Sequence, residues 1–195
     1  MRLRLSPLTL ALVLAPALLP ARAQTAGMDP ALLAKANAGD AAAEVLVGEK
    51  YAQGSGVAQD SKQAAAWYRK AAEQGNIAGE IHLAALYRDG GKGFPRDRTQ
   101  AAAWYRKAAE QGDAGAQGTL GLLCSMGLGV AQSDVEAYYW LDLAASVKGP
   151  NQAQYAANRQ NIGTRITADE LAAVQERVAQ WKAVHPRPDA PRQSP

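Results

Sequence analysis

Cys124 and two histidines are the side chains of this chain that come closest to covalent or metal chemistry. A cysteine nucleophile needs a neighbouring base, and the 195 residues offer only His82 and His185 for that role. Zinc needs three or four ligands, and one cysteine without a closely spaced histidine pair does not supply them. We therefore interpret Cys124 as a small buried thiol and predict no catalytic residue, no metal and no cofactor.

Aromatic residues beside basic ones could instead stack the bases of a nucleic acid. The residues concerned are Trp67, Tyr68, Trp104, Tyr105 and Trp140. Each arginine that follows the first two Trp-Tyr pairs has a glutamate four residues later, so its charge is neutralised on the same helix face. The tryptophans also recur at a regular interval, which is typical of core positions in a repeat. We predict that the three tryptophans are buried and that the protein binds no nucleic acid.

Two Gly-x-Gly segments, at 54–56 and 127–129, have the composition of phosphate-binding loops. Such loops follow a β-strand and carry a further glycine, and the sequence meets neither condition. We therefore interpret both segments as turns between helices.

The elements that hold these residues are predicted by an internal repeat. The sequence of residues 64–75 returns almost verbatim at 101–112 and in a weaker form at 137–145. A unit of about three dozen residues forms one helical hairpin that cannot bury its apolar face alone. The units must therefore stack, and the product is an all-α chain with an extended surface suited to binding.

Glycines mark the period of the repeat. Gly39 and Gly75 are 36 residues apart, and Gly75 and Gly112 are 37 residues apart. The additional residue falls in the segment 90–94, which matches the two Gly-x-Gly turns. An insertion inside a helix would rotate its apolar stripe by about 100°, so we expect this residue in a turn.

Each unit is predicted to contain two antiparallel helices. Apolar residues four apart, such as Ala43, Val47 and Tyr51, give the first helix of a unit its buried face. The helices begin after N-cap residues, whose side chains accept a hydrogen bond from a free backbone N–H. The predicted caps are Asp60, Asp97 and Ser133 for the second helices, and Asn76 and Asp113 for the helices that follow.

These signals divide the chain into segments. A capping helix before the repeats begins at Asp29-Pro30, and a capping box from Thr167 to Glu170 opens the last helix. The predicted segments are a signal peptide (1–23), an N-terminal capping helix (24–38), repeat 1 (39–74), repeat 2 (75–111), repeat 3 (112–147), a degenerate C-terminal pair of capping helices (148–184) and a disordered Pro-rich tail (185–195).

The first 23 residues have the composition of a secretory signal. A short basic start precedes an apolar stretch that Pro7 and Pro16 interrupt, and this stretch falls short of the ~20 residues that span a membrane. Small residues at Ala21 and Ala23 predict cleavage after Ala23. We expect a periplasmic or secreted protein that does not insert into the membrane after cleavage.

Cleavage also changes the charge of the protein. Arg2, Arg4 and Arg22 would leave, so 21 basic residues become 18, which equals the 18 acidic ones. The positive net charge of the full chain therefore gives no argument for a nucleic-acid or lipid partner. With a single cysteine, an internal disulfide is excluded and packing must hold the fold together.

The unit that begins at Gly39 contains a Gly-Ser-Gly-Val turn and a Trp-Tyr-Arg-Lys-Ala-Ala segment, and it closely resembles the Sel-1-like repeat family, a relative of the tetratricopeptide repeats. The resemblance covers about 37–145. The third unit departs from the pattern, with Cys124 in place of an aromatic residue, Ser133 in place of Asp and Leu143 in place of Lys. We interpret repeat 3 as a boundary unit or one specific to a partner.

The resemblance implies an α-α superhelix, right-handed and built of antiparallel helix pairs. It further implies a monomeric, non-enzymatic adaptor of the cell envelope that binds a protein or peptide. Two alternatives stay open: an enzyme acting on β-lactams or the cell wall, and a structural component of an envelope or secretion assembly. Relatives linked to β-lactam chemistry are stapled by paired cysteines, which this chain lacks.

In related helical repeats the first helix of each pair lines the concave face, which implies a partner-binding groove there. The residues assigned to it are Glu49, Gln53, Ile81, Ala85, Arg88, Asp89, Leu122, Ser125 and Met126. We expect the groove to be polar at its first end and apolar at its last. The alternative is that Val45, Ile81 and Leu122 pack between neighbouring helices instead.

Overall fold

The computed structural model describes residues 27–186, and within them the protein is built of α-helices without a β-strand. In chain order they are α1 (Pro30–Asn37), α2 (Ala41–Gln53), α3 (Ser61–Glu73), α4 (Ile77–Asp89), α5 (Arg98–Glu110), α6 (Ala114–Met126), α7 (Asp134–Ala145), α8 (Gln152–Gly163) and α9 (Ala168–Val184). The predicted signal peptide and nearly all of the predicted tail lie outside the described residues.

Side-chain caps fix where the helices begin. Asp60 accepts hydrogen bonds from the backbone N–H groups of residues 62 and 63, and Asp97 accepts one from that of residue 100. Asn76, Asp113 and Ser133 cap α4, α6 and α7 in the same way. The caps expected from the sequence are confirmed, including the capping box of Thr167 and Glu170 on α9.

The extra residue of repeat 2 lies in a connection, as its place in the sequence predicts. Helices α2 to α6 contain 13 residues each, so none of them carries an insertion. Between α4 and α5 the chain forms a small turn in which Gly91 and Phe94 exchange backbone hydrogen bonds of 2.9 and 3.0 Å. This turn leads to Arg96 and the start of α5.

Consecutive helices pack against each other from α1 to α8. Helices α2, α4 and α6 are the first helices of the repeats, and α3, α5 and α7 are their antiparallel partners. Buried residues form two clusters. One is centred on repeat 1 and reaches Leu83 of repeat 2, and the other runs from repeat 2 to the closing helices. The predicted all-α solenoid of helix pairs is confirmed.

The closing helices are arranged differently from the predicted pair. The principal neighbour of α9 is α7, and α8 also packs on α7. Val174 and Val178 of α9 are buried in the core cluster that contains Leu141 of α7. An ion pair of 2.8 Å between Arg177 and Glu136 also joins α9 to α7. The apolar stripe of α9 therefore closes the last repeat directly.

The prediction that all three repeat tryptophans are buried is wrong for two of them. Trp140 is 4 % exposed, but Trp67 and Trp104 are half-buried. Tyr68 and Tyr105 take the core positions instead, at 4 % and 3 % exposure. A lysine three residues later places its Nζ atom 3.9 Å from the centre of each half-buried indole ring. These rings are thus covered on the outside by a charged side chain whose stem packs on them.

Candidate partner-binding face

The carboxyl-terminal halves of the first helices enclose two neighbouring grooves. The first groove, between α2 and α4, has a volume of about 220 Å³ and includes Tyr68, His82 and Ala85. The second groove, between α4 and α6, has a volume of about 380 Å³ and includes Leu122 and Met126. Asp89 borders both grooves, so together they form one continuous face, which we call the first-helix face.

The first groove is lined by aromatic and polar groups. The imidazole of His82 stacks on the ring of Tyr68, with centroids 5.0 Å apart and planes 17° apart. Its Nε2 atom lies 3.2 Å from a carboxylate oxygen of Glu49. Burial, with a smaller contribution from Glu49, raises the pKa of Tyr68 to about 12. The phenol therefore stays protonated at neutral pH and serves as a packing platform.

The second groove has an apolar wall. Leu122 is half-buried, Leu123 is buried, and Met126 leaves 54 % of its surface exposed at the end of α6. Leu122 and Met126 together give this wall an accessible apolar patch, which is a feature of binding surfaces, and methionine adapts to differently shaped partners.

Arg88 and Asp89 separate the two grooves as a fixed pair. The guanidinium of Arg88 donates to both carboxylate oxygens of Asp89, at 2.8 and 2.7 Å, and to the hydroxyl of Tyr105 at 3.0 Å. The hydrogen bonds from Arg88 hold the pKa of Asp89 below its usual value, with a further electrostatic contribution from Arg96. This pair is charged but internally neutral, so it shapes the face more than it attracts an ion.

The structure brings six of the residues assigned from the sequence to the grooves or their edges: Glu49, Ala85, Arg88, Asp89, Leu122 and Met126. Gln53 is exposed at the end of α2 and lines neither groove. Ser125 donates its hydroxyl to the backbone oxygen of Leu122 at 3.0 Å. Ile81 packs against the core and Val45 is buried, which is the packing role that the alternative gave them.

Sequence reasoning missed two basic residues that line the second groove, Arg96 and Arg98. Repeat 2 departs from its neighbours at both positions. Repeats 1 and 3 have Gln59 and Gln132 at the position of Arg96, and neither has a basic residue at the position of Arg98. Comparing the units at the connections, and not only along the helices, would have singled them out. Thr119 and Leu128, also part of the lining, were likewise missed.

The single cysteine of the chain lies in the core. Cys124 is 2 % exposed, and burial raises the pKa of its thiol, which disfavours the thiolate. Within residues 27–186, no three His, Cys, Asp or Glu side chains are grouped so as to hold a metal ion. Over the same range, no helix combines the length and the apolar character that crossing a membrane requires.

Comparisons with known proteins agree with this architecture. Residues 41–76, 77–113 and 115–146 each match the family model described as Sel1 repeat. The crystal structure of a Sel1 repeat protein from Oxalobacter formigenes is 31 % identical, with a TM-score of 0.59, over 67 % of this chain and 96 % of that one.

A second solved structure is c5321, a protective antigen present in uropathogenic Escherichia coli strains that displays an SLR fold. It is 28 % identical, with a TM-score of 0.53, over 78 % of this chain and 40 % of that one. This chain thus spans less than half of that larger protein. Among curated proteins, none matches the chain.

Proposed function

Because the chain belongs to the Sel1 repeat family, whose members are generally scaffolds for protein–protein interaction, we propose that it is a non-enzymatic adaptor that binds a protein or peptide on its first-helix face. The observation that carries this proposal is the pair of adjoining grooves, which together offer room for an extended segment. Met126 adds exposed apolar surface at one end of this face.

The chemical character of the face supports recognition and not turnover. Two of its carboxylates and its histidine are engaged, Asp89 with Arg88 and Glu49 with His82. A catalytic site would need a base or nucleophile free to act on a substrate. The interaction residues that we propose are the six at the grooves or their edges, with Gln53 and Ser125 beside them, while Ile81 supports this face by packing against the core.

We place the adaptor in the cell envelope as part of this proposal. The support is the signal-like composition of residues 1–23. Sequencing the amino terminus of the protein recovered from its host tests the location. The expected first residue is Gln24 in an exported fraction, and an uncleaved start in the cytoplasmic fraction would contradict it.

Site-directed photo-crosslinking in the native host tests the binding face. A photoreactive amino acid at Gln53 or Met126 reports on the first-helix face. The same group at Ala66 or Ala103, exposed positions on the second helices α3 and α5, serves as the matched control. We expect a discrete protein adduct from the first two positions and none from the controls. Adducts from the control positions alone, or from no position, would contradict the proposal.

A catalytic role is tested separately. The purified protein is incubated with β-lactams and peptidoglycan fragments, and products are followed by mass spectrometry. We expect no turnover. Turnover that disappears when a groove residue such as Asp89 is substituted would establish the enzyme alternative.

A further inference from the structure

The second groove combines an apolar wall with positive charge. Leu122, Leu123 and Met126 form the wall, next to Leu128 in the following turn. Three guanidinium groups and one carboxylate line the groove, so its net charge is +2 (three minus one). Its volume of about 380 Å³ falls within the range of about 300–1,000 Å³ typical of ligand sites. The groove therefore has room for an apolar side chain beside anionic groups.

Two of the three arginines carry the uncompensated charge. Asp89 is engaged by Arg88 through two hydrogen bonds. The side chains of Arg96 and Arg98 form neither a hydrogen bond nor an ion pair with any of residues 27–186, although the charge of Arg96 helps to lower the pKa of Asp89. Their guanidinium groups are thus available to an anion from outside.

Arg96 occupies a position that has a structural task in the neighbouring repeats. In repeat 1, Gln59 donates to the backbone oxygen of Ala52 at 2.9 Å. In repeat 3, Gln132 donates to the backbone oxygen of Ser125 at 3.0 Å. Each bond ties the connection to the end of the first helix. Arg96 makes no such bond with the described residues, so repeat 2 has a cation in place of this closing contact.

Arg98 departs from its repeat position in the same way. Its counterpart in repeat 1 is Ser61, which is 5 % exposed. Its counterpart in repeat 3 is Asp134, which forms an ion pair of 2.6 Å with Arg165. Arg98 is exposed and unpaired among the described residues. Two departures, on either side of the repeated cap position Asp97, thus bring charge that is unpaired among the described residues to one groove.

The first groove provides a comparison within the same molecule. It lies at the equivalent place one repeat earlier, and its described lining contains His82 and Asp89 but no arginine or lysine. The positive charge is therefore particular to the second groove. It is not a general property of the first-helix face.

We propose that the second groove binds an acidic segment of a protein partner, in which one apolar side chain stands between two Asp or Glu side chains. The two carboxylates pair with Arg96 and Arg98, and the apolar side chain packs between Leu122 and Met126. Charge-assisted bonds from arginine to carboxylate give orientation, and the apolar contact gives burial. A bare phosphate or nucleic acid would leave the apolar wall uncovered. This inference rests on the proposed function, since it names the chemistry of the protein partner.

Peptide titration tests the proposed chemistry on the purified protein. The probes are the capped peptides Gly-Glu-Phe-Glu-Gly and Gly-Glu-Leu-Glu-Gly, which carry no terminal carboxylate, followed by NMR shifts of the isotope-labelled protein. We expect shifts around residues 96–98 and 122–126. Peptides with Gln in place of Glu should bind at least about tenfold more weakly, which corresponds to the loss of one or two charged bonds. Raising the salt concentration should also weaken binding.

Matched variants keep the test separate from folding. Arg96→Gln and Arg98→Ser install the residues that repeat 1 already carries, so the fold is expected to tolerate both. The double variant should melt within about 2 °C of the wild type and bind the acidic peptides at least about tenfold more weakly. Lys35→Gln, which removes one positive charge on α1 and so matches the change of charge of each single arginine variant, should bind as the wild type does.

Several outcomes would overturn the inference. One is that the wild type binds neither acidic peptide, or binds the Gln peptides as tightly as the Glu peptides. Another is that the double variant binds the acidic peptides as tightly as the wild type does. A third is that an oligothymidylate binds as tightly as the acidic peptides at the same salt concentration. The crosslinking experiment separates this inference from the proposed function. Unchanged adducts from Met126 in the double variant would leave the adaptor in place while removing the acidic-segment assignment. If no adduct forms at Gln53 or Met126 in the protein that keeps Arg96 and Arg98, both the adaptor function and the acidic-segment assignment are contradicted.

Discussion

Gln74 and Glu44 are 30 residues apart in sequence, and Nε2 of Gln74 donates a 2.7 Å hydrogen bond to Oε2 of Glu44. Repeat 2 has the same bond, from Gln111 to Glu80 at 2.8 Å. Both glutamates are buried, at 3 % and 2 % exposure. Each bond joins the first helix of a repeat to the end of the second, so these pairs close the hairpins of repeats 1 and 2.

The buried glutamates predict a pH-dependent effect of removing their charge. Burial raises the pKa of both carboxyls above the usual value, against the opposing effects of a lysine and the glutamine. An acid whose pKa is higher in the folded state makes the fold less stable as the pH rises from the unfolded pKa through the folded one. The double variant Glu44→Gln with Glu80→Gln escapes this loss. The melting temperature of the variant minus that of the wild type should therefore be more positive at pH 7 than at pH 4.

Repeat 3 gives a natural precedent, because Gln117 stands at the equivalent position and is fully buried. The control is Glu73→Gln with Glu110→Gln, which makes the same change of net charge at exposed positions. Melting curves followed by circular dichroism at both pH values measure the difference. A variant that loses stability relative to the wild type on going from pH 4 to pH 7 would refute the assignment.

Substitution of Gly129 is predicted to have a large effect on stability. Gly129 has a φ of +76°, and an added Cβ atom would lie 2.0 Å from the backbone oxygen of Arg98. Gly75 has a similar φ of +78° but open space around it. Gly75→Ala should therefore cost only the strain of the left-handed conformation, about 1–2 kcal/mol. Gly129→Ala should cost about 1–3 kcal/mol more, because the turn must move away from the start of α5.

Urea denaturation of the two glycine variants measures this difference. Equal free energies of unfolding for the two variants would mean that the turn of repeat 3 is not in tight contact with the start of α5. The contact matters for the second groove as well, since it fixes the backbone at Arg98. Peptide binding by Gly129→Ala should accordingly fall below that of Gly75→Ala.

The tryptophans should differ in their contribution to stability. Trp140 is buried beside Tyr139, with ring centroids 4.8 Å apart, so Trp140→Ala should cost about 3–5 kcal/mol. Trp67 and Trp104 are half-buried, and replacing either by Ala should cost about 1–2 kcal/mol. Tyr68→Ala should cost more than Trp67→Ala. The opposite order in denaturation experiments would show that the indole rings hold the core of repeats 1 and 2.

The sequence predicts the helices well because caps and repeat period are local signals. Asp60, Asp97 and Thr167 act through backbone groups two or three residues away, so no knowledge of the tertiary structure is needed. The burial of a Trp-Tyr pair is different. Neighbouring residues on a helix point about 100° apart, and which of two large rings enters the core depends on the helices packed against it.

The part of the candidate face that lies on helices was predictable, because the repeat period is a local signal. Its helix positions follow from the repeat, and Leu122 and Met126 are found at the second groove. Arg96 belongs to the connection before α5 and Arg98 is the first residue of α5. Their lack of a partner among the described residues depends on distances between side chains that no local pattern encodes. The arrangement of α9 on α7 likewise depends on long-range contacts such as that of Arg177 with Glu136.

Amide hydrogen exchange, measured with and without the cross-linked partner, tests the proposed binding face most directly. We expect the partner to slow exchange in the carboxyl-terminal halves of α2, α4 and α6 and in the segment 90–98, while α3 and α5 beyond their first turns change little. Slowing confined to the exposed sides of α3 and α5, or no slowing at saturating partner, would contradict it.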